Sequence, residues 1–107
     1  MSTTETQQVF EHHGSALMSR DIDEVMKDYT EDSVMITNLS GVTKGLVGIR
    51  AVFEAPSDLS GIQLLASHFE SDVAYITWKA DGIPFGTDTF IVRDGKILVQ
   101  TVAFHIA

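Results

Sequence analysis

Apolar positions recur every three or four residues as far as Pro56, and beyond it they alternate or run together between short turns. The first half therefore reads as helices and the second as strands. Val9, Phe10, His13, Ala16 and Leu17 mark one face of a helix that the capping box Ser2-Thr-Thr-Glu5 opens and that extends to about Arg20. Asp21-Ile-Asp-Glu24 is a second box, opening a short helix with Ile22, Val25, Met26 and Tyr29 on one face until Thr30-Glu-Asp-Ser33 breaks the pattern. The continuous apolar run from Val34 to Leu39 predicts a strand. A loop ending at Lys44-Gly45 leads into a third helix carrying Leu46, Ile49, Val52 and Phe53, stopped at or just before Pro56. Ile62 to Phe69, Val73 to Ala80, Phe85 to Val92 and Ile97 to Ile106 are four further strands, separated by turn compositions. Connections this short make antiparallel neighbours. The expected architecture is a single α+β domain over residues 1–107, with three N-terminal helices segregated onto one face of a curved, mostly antiparallel sheet.

Two titratable residues interrupt this pattern. Asp88 lies in the apolar strand Gly86-Thr-Asp-Thr-Phe-Ile-Val92, where an ionised carboxylate is costly unless paired, hydrogen-bonded or protonated. His13 lies in the apolar stripe of the first helix. His12, about 100° further round that helix, is expected in solvent. Each inward residue has a structural reading, a satisfied acid or a core-edge histidine, beside a reading as a pocket group.

The turn at Arg93-Asp-Gly95 decides what Asp88 faces. A two-residue loop would pair Arg93 with Lys96 and set Asp88 opposite Thr101. A three-residue loop with only Gly95 at positive φ would pair Val92 with Lys96 and set Asp88 opposite Gln100; this register is preferred because it spares Asp94 a positive φ. One face would then carry Asp88, Phe90, Val92, Leu98, Gln100, Val102 and Phe104. The other would carry Thr87, Thr89, Ile91, Ile97, Val99, Thr101, Ala103 and His105. Both are too apolar for open solvent, so the face that the helices leave uncovered is expected to be a homodimer interface.

Charge narrows the partners. Seven Lys and Arg against fifteen Asp and Glu give a formal net charge of −8, which disfavours nucleic acid. Cysteine is absent, so thiolate chemistry and disulfides are excluded. The polar N-terminus and the lack of a long apolar run predict no signal peptide and no membrane span, and hence a cytoplasmic protein. His12, His13, His68 and His105 are too dispersed for metal ligation, since adjacent helical residues diverge and the last two lie on separate strands. No serine stands in a nucleophile elbow and no glycine-rich phosphate cradle is present. Neither metal nor organic cofactor is expected.

The stretch Arg20-Asp-Ile-Asp-Glu-Val-Met-Lys-Asp-Tyr-Thr-Glu-Asp-Ser-Val34 resembles the nuclear transport factor 2-like (NTF2-like) superfamily. Further similarity lies in Lys44-Gly45, Gly48-Ile-Arg-Ala-Val-Phe53, Ala74-Tyr-Ile-Thr-Trp78, Thr87-Asp-Thr-Phe90 and Asp94-Gly-Lys-Ile97. This group includes ketosteroid isomerases, SnoaL-type polyketide cyclases and limonene epoxide hydrolase, which share a cone-shaped α+β fold. The resemblance implies that Asp88 stands where the isomerases keep a protonated aspartic acid, and His13 where they keep an oxyanion-hole tyrosine. Thr37 stands at the general-base aspartate position, and a threonine hydroxyl does not take up a proton near neutrality. The epoxide hydrolase pattern is broken too, with Gly86 at its arginine position and Val102 at its last-strand acid position. Trp78, Phe53 and Tyr29 correspond to cavity walls.

Together these observations imply an apolar pocket with His13 and Asp88 as candidate catalytic groups and Gln100, Trp78, Tyr29, Phe53, Thr37 and Val102 as candidate ligand contacts. The expected ligand is a small, mostly apolar organic molecule bearing a carbonyl or hydroxyl. Turnover would be cofactor-independent acid–base chemistry of isomerase, cyclase or hydrolase type. The alternative is a binding or dimeric interaction module without catalysis.

Overall fold

The computed structural model describes residues 2–55 and 59–107. Helix α1 spans Thr3–Met18, α2 Ile22–Met26 and α3 Gly45–Glu54; strands β1 to β6 span Val34–Thr37, Gly41–Lys44, Gln63–Glu70, Val73–Ala80, Ile83–Arg93 and Lys96–His105. Both capping residues act as their motifs require: the Ser2 hydroxyl accepts from the Glu5 amide, and the Asp21 carboxylate accepts from the Glu24 amide at 3.1 Å. α3 ends at Glu54, and the expected stop at Pro56 lies outside the described residues.

The six strands form one sheet in the order β2-β1-β6-β5-β4-β3, antiparallel except where β1 runs parallel to β6. The segment Gly41–Lys44, expected as loop, is strand β2, paired with β1 through Val34↔Lys44 and Thr37↔Gly41. Four residues with Val42 60% exposed give no alternation to read. The first strand also stops at Thr37 rather than Leu39, because the Thr37 hydroxyl accepts the Ser40 amide at 2.9 Å and closes the turn, leaving Leu39 exposed.

The β5–β6 hairpin departs from the preferred register. Asp94 and Gly95 have φ of 53° and 75°, and Arg93 pairs with Lys96 across a two-residue loop. Asp is among the residues that tolerate the left-handed region, and a primed turn matches the strands' twist, so a positive φ at Asp94 costs less than the preferred register supposes. Leu98 is then an extra residue in β6: Val92 pairs with Ile97 but Ile91 pairs with Val99. The two-residue loop sets Ile97, expected on the outer face, opposite Val92 and into the core at 0% exposure, and turns Leu98 away from its expected inner position to line a surface groove, while the bulge returns Gln100 to the inner face. Past the bulge, Asp88 lies opposite Val102, and Gln100 opposite Phe90, still on the inner face.

The core lies between the helices and this inner face. Ala16, Val25, Tyr29, Met35, Ile49, Ala74, Phe90, Val92 and Ile97 are buried together, with Phe10, Phe53 and Ile76 packed against them. Among the described residues no helix is long and apolar enough to cross a membrane.

Candidate functional site on the inner face of the sheet

Asp88 accepts two hydrogen bonds, from Trp78 Nε1 to Oδ1 at 2.9 Å and from Gln100 Nε2 to Oδ2 at 3.0 Å. Gln100 is buried, and its Oε1 accepts from the Tyr29 hydroxyl at 2.5 Å. A polar chain thus runs Tyr29–Gln100–Asp88–Trp78, linking the segment after α2 to β6, β5 and β4. The diagonal step from β6 to β5 is supplied by the Leu98 bulge, since Gln100 reaches across from its position opposite Phe90. Gly86 makes the Trp78 bond possible. A Cβ there would lie 2.5 Å from the Trp78 ring, so only a glycine opposite Trp78 lets the indole lie over β5.

Burial raises the Asp88 carboxyl above its ordinary value of 3.8, against the two hydrogen bonds that favour its charged form. Tyr29 is raised well above 10 by burial and by the nearby Asp28 and Asp88 charges, so it is a neutral donor. His13 is 4% exposed, and burial, helped by the adjacent His12, lowers its imidazole from 6.5 to about 4. Its Nδ1 is buried without a hydrogen-bond partner among the described residues. Three aromatic rings meet it edge-on: Phe90 at 5.4 Å, Phe53 at 5.9 Å and Tyr29 at 6.0 Å between centroids.

The fold therefore gathers His13, Tyr29, Phe53, Gln100, Asp88 and Trp78 on one side of the sheet, with Val102 beside Asp88. Thr37 shares a strand face with Met35, yet its hydroxyl is engaged in the turn with Ser40. His13 does not bond Asp88; Tyr29 and Gln100 lie between them. Two surface grooves lie elsewhere, one of about 350 Å³ lined by Asp23, Met26, Lys27, Leu46, Val47 and Arg50, the other of about 220 Å³ near Leu98. Neither includes His13 or Asp88. Among the described residues no cluster of three or more His, Cys, Asp or Glu has metal-ligating geometry.

The residues that sequence reasoning missed lie on the outer side of α1 and α2. His12, expected in solvent, is half-buried with both ring nitrogens on carboxylates, Asp28 at 2.8 Å and Glu24 at 2.9 Å. Spacing held the available signal: Glu24 and Asp28 are four residues apart, on one side of a short helical segment.

No known family pattern matches the chain, and no curated protein matches it in sequence. Solved structures do. An NTF2-like protein from Burkholderia xenovorans superposes with a TM-score of 0.83 at 19% identity, over 100% of this chain and 88% of its own. A ketosteroid isomerase-like protein from Kribbella flavida gives 0.81 at 14% identity, over 97% and 80%. A SnoaL-like protein from Burkholderia thailandensis gives 0.78 at 17% identity, over 95% of each. The chain has the NTF2-like fold that the sequence resemblance implied.

Proposed function

We propose that this NTF2-like chain binds a small, mostly apolar organic molecule bearing a carbonyl or hydroxyl, at the inner face where His13 meets the Tyr29–Gln100–Asp88 chain. The observation that carries this reading is the His13 Nδ1, buried and without a hydrogen-bond partner among the described residues, beside the hydrogen-bonded Tyr29–Gln100–Asp88 group. A buried polar atom left unpaired costs about 1–3 kcal/mol, a cost that a ligand hydroxyl donating to Nδ1 removes. His13 is the candidate base or second hydrogen-bond donor; burial lowers its imidazole to about 4 and holds it neutral, so as a base it is weak. Asp88 is a hydrogen-bonding and acid group, reached through Gln100, with Trp78, Phe53 and Val102 as apolar surroundings. Any turnover is cofactor-independent acid–base chemistry of isomerase or cyclase type.

The test uses Trp78, the one tryptophan in the chain. Cyclic ketones and phenols are expected to quench its fluorescence and raise the melting temperature, whereas nucleotides and nucleic acids do neither. Asp88→Asn keeps the shape and is expected to remove the acid-side pH dependence of binding. Tight, salt-sensitive binding of DNA or RNA would overturn the reading. A second reading, a module without catalysis, is favoured by the close ring contacts around His13. As a ligand-binding module it predicts binding without turnover; as a dimeric interaction module it predicts that no such compound changes the fluorescence or the melting temperature.

We also propose a homodimer through the outer sheet face. Ile36, Val42, Tyr75 and Phe85 are 42%, 60%, 38% and 50% exposed there, beside Thr101 and Ala103, with no acidic residue among them. Sedimentation at tens of micromolar is expected to give a dimer, and Ala103→Arg a monomer. A monomeric parent would remove this face as an interface.

A further inference from the structure

His12 is held between two carboxylates, on α1 but turned away from the candidate site. Its Nδ1 lies 2.8 Å from both Asp28 oxygens and its Nε2 lies 2.9 Å from Glu24 Oε1. Both nitrogens face carboxylate oxygens, an arrangement that suits an imidazolium donating from both. A neutral imidazole of either tautomer would turn a lone pair against a carboxylate. The Asp28 side chain is 8% exposed, and the Asp28 carbonyl accepts the Ile97 amide at 2.6 Å, tying the end of the α2 segment to β6. The surrounding charges come from three elements. Glu24 of α2 pairs at 2.9 Å with Lys27 at the helix C-cap, with Asp21 and Asp23 beyond them. Lys96 lies beside Asp28 at the start of β6, its ammonium donating to the Lys27 carbonyl. On α1 the adjacent His13 is neutral.

The chain order makes this cluster more than a surface ion pair. His12 precedes His13 and Asp28 precedes Tyr29, so the same two backbone segments carry an ionic contact outside and the His13–Tyr29 ring contact inside. We propose that the His12–Asp28–Glu24 clamp positions Tyr29 and His13, closing when His12 binds a proton and opening when that proton is released to solvent. His12 is a positioning residue, and the clamp makes the order of the inner site depend on pH. Glu24 first and Asp28 second raise the His12 imidazole above 6.5, in the direction that favours the closed clamp. The regulatory meaning of this device rests on the function proposed for the inner site; the device itself does not.

The experiment is a nuclear magnetic resonance titration of the ligand-free protein from about pH 6 to 9, reading the His12 and His13 imidazoles, the Tyr29 ring and the Gln100 side-chain amide. Gln100 is the decisive reporter, because it touches Tyr29 but not His12. The Tyr29 and Gln100 signals are expected to move with the midpoint of His12, above 6.5. His12→Arg carries a permanent cation with several donors and is expected to hold both signals at their low-pH positions throughout, with complete loss of the pH-linked shift. Tyr29 and Gln100 signals that ignore the His12 titration would overturn the proposal, as would a His12→Arg protein that still shows the parent's shift. The parent titration decides the question even if the variant does not fold. Because no ligand is present, failure of the binding reading leaves this result untouched.

Discussion

Replacing His13 by phenylalanine is expected to remove about 2 kcal/mol of the loss of stability that the parent shows between pH 7 and pH 5. In the unfolded chain a histidine titrates near 6.5, whereas in the fold His13 is held down at about 4. Its contribution is therefore fully present above 6.5 and is lost as pH falls from 6.5 through 4, because the unfolded chain binds a proton that the folded chain refuses. At about 1.4 kcal/mol per pKa unit, the loss is about 2 kcal/mol at pH 5 and about 3 kcal/mol below pH 4. Asp88 and Asp28 act in the opposite sense. Their folded values are raised, so their contributions are present below 3.8 and fall away as pH climbs to the folded values. Urea unfolding of parent and His13→Phe across pH 4 to 7 separates the terms, with His13→Leu as the control should the larger ring overpack. Parallel pH curves for parent and both variants would show that His13 is not the buried neutral imidazole described here.

Gly86→Ala is expected to be the most disruptive single methyl group in the sheet. Its Cβ would be built 2.5 Å from two atoms of the Trp78 ring, well inside contact distance, and Trp78 is 7% exposed with Phe104 at 6.0 Å on its flank. The indole has to move, and overpacking of this kind costs about 1–3 kcal/mol. Moving it also breaks the bond from Nε1 to Asp88, leaving one carboxylate oxygen with less to balance its desolvation. The expected readings are a lower urea midpoint and a red-shifted Trp78 emission, together with a further rise in the Asp88 pKa. An alanine variant that matched the parent in midpoint and emission would mean that Trp78 is not seated over Gly86.

Much of this arrangement is legible in the chain, and the particular residues show why. His13 stands out because a helical apolar stripe should not contain it, and Asp88 because a strand between apolar strands should not. The capping boxes at Ser2 and Asp21 are local signals read by backbone atoms three residues away, so they survive folding unchanged. The hairpin register does not follow from the same kind of reading. The choice at Asp94-Gly95 turns on a small difference between two turn types, and the bulge at Leu98 appears only when both strands are laid side by side. The two departures offset each other in parity. Gln100 consequently remains on the face with Asp88 although it is not its direct neighbour, while Ile97 and Leu98 exchange environments.

What the sequence determined alone is what depends on period and on near neighbours: two helices, a strand, a third helix, then four antiparallel strands, and two titratable groups turned inward. The tertiary structure decided everything that requires atoms distant in the chain to meet. Tyr29 and Gln100 are 71 positions apart, and His12 and Asp28 are 16 apart. Hydrogen bonds are satisfied over about 3 Å while sequence patterns report only which face a residue occupies. A face is shared by many residues; a partner is chosen by register, bulge and helix placement, and those are fixed only when the sheet closes against its helices.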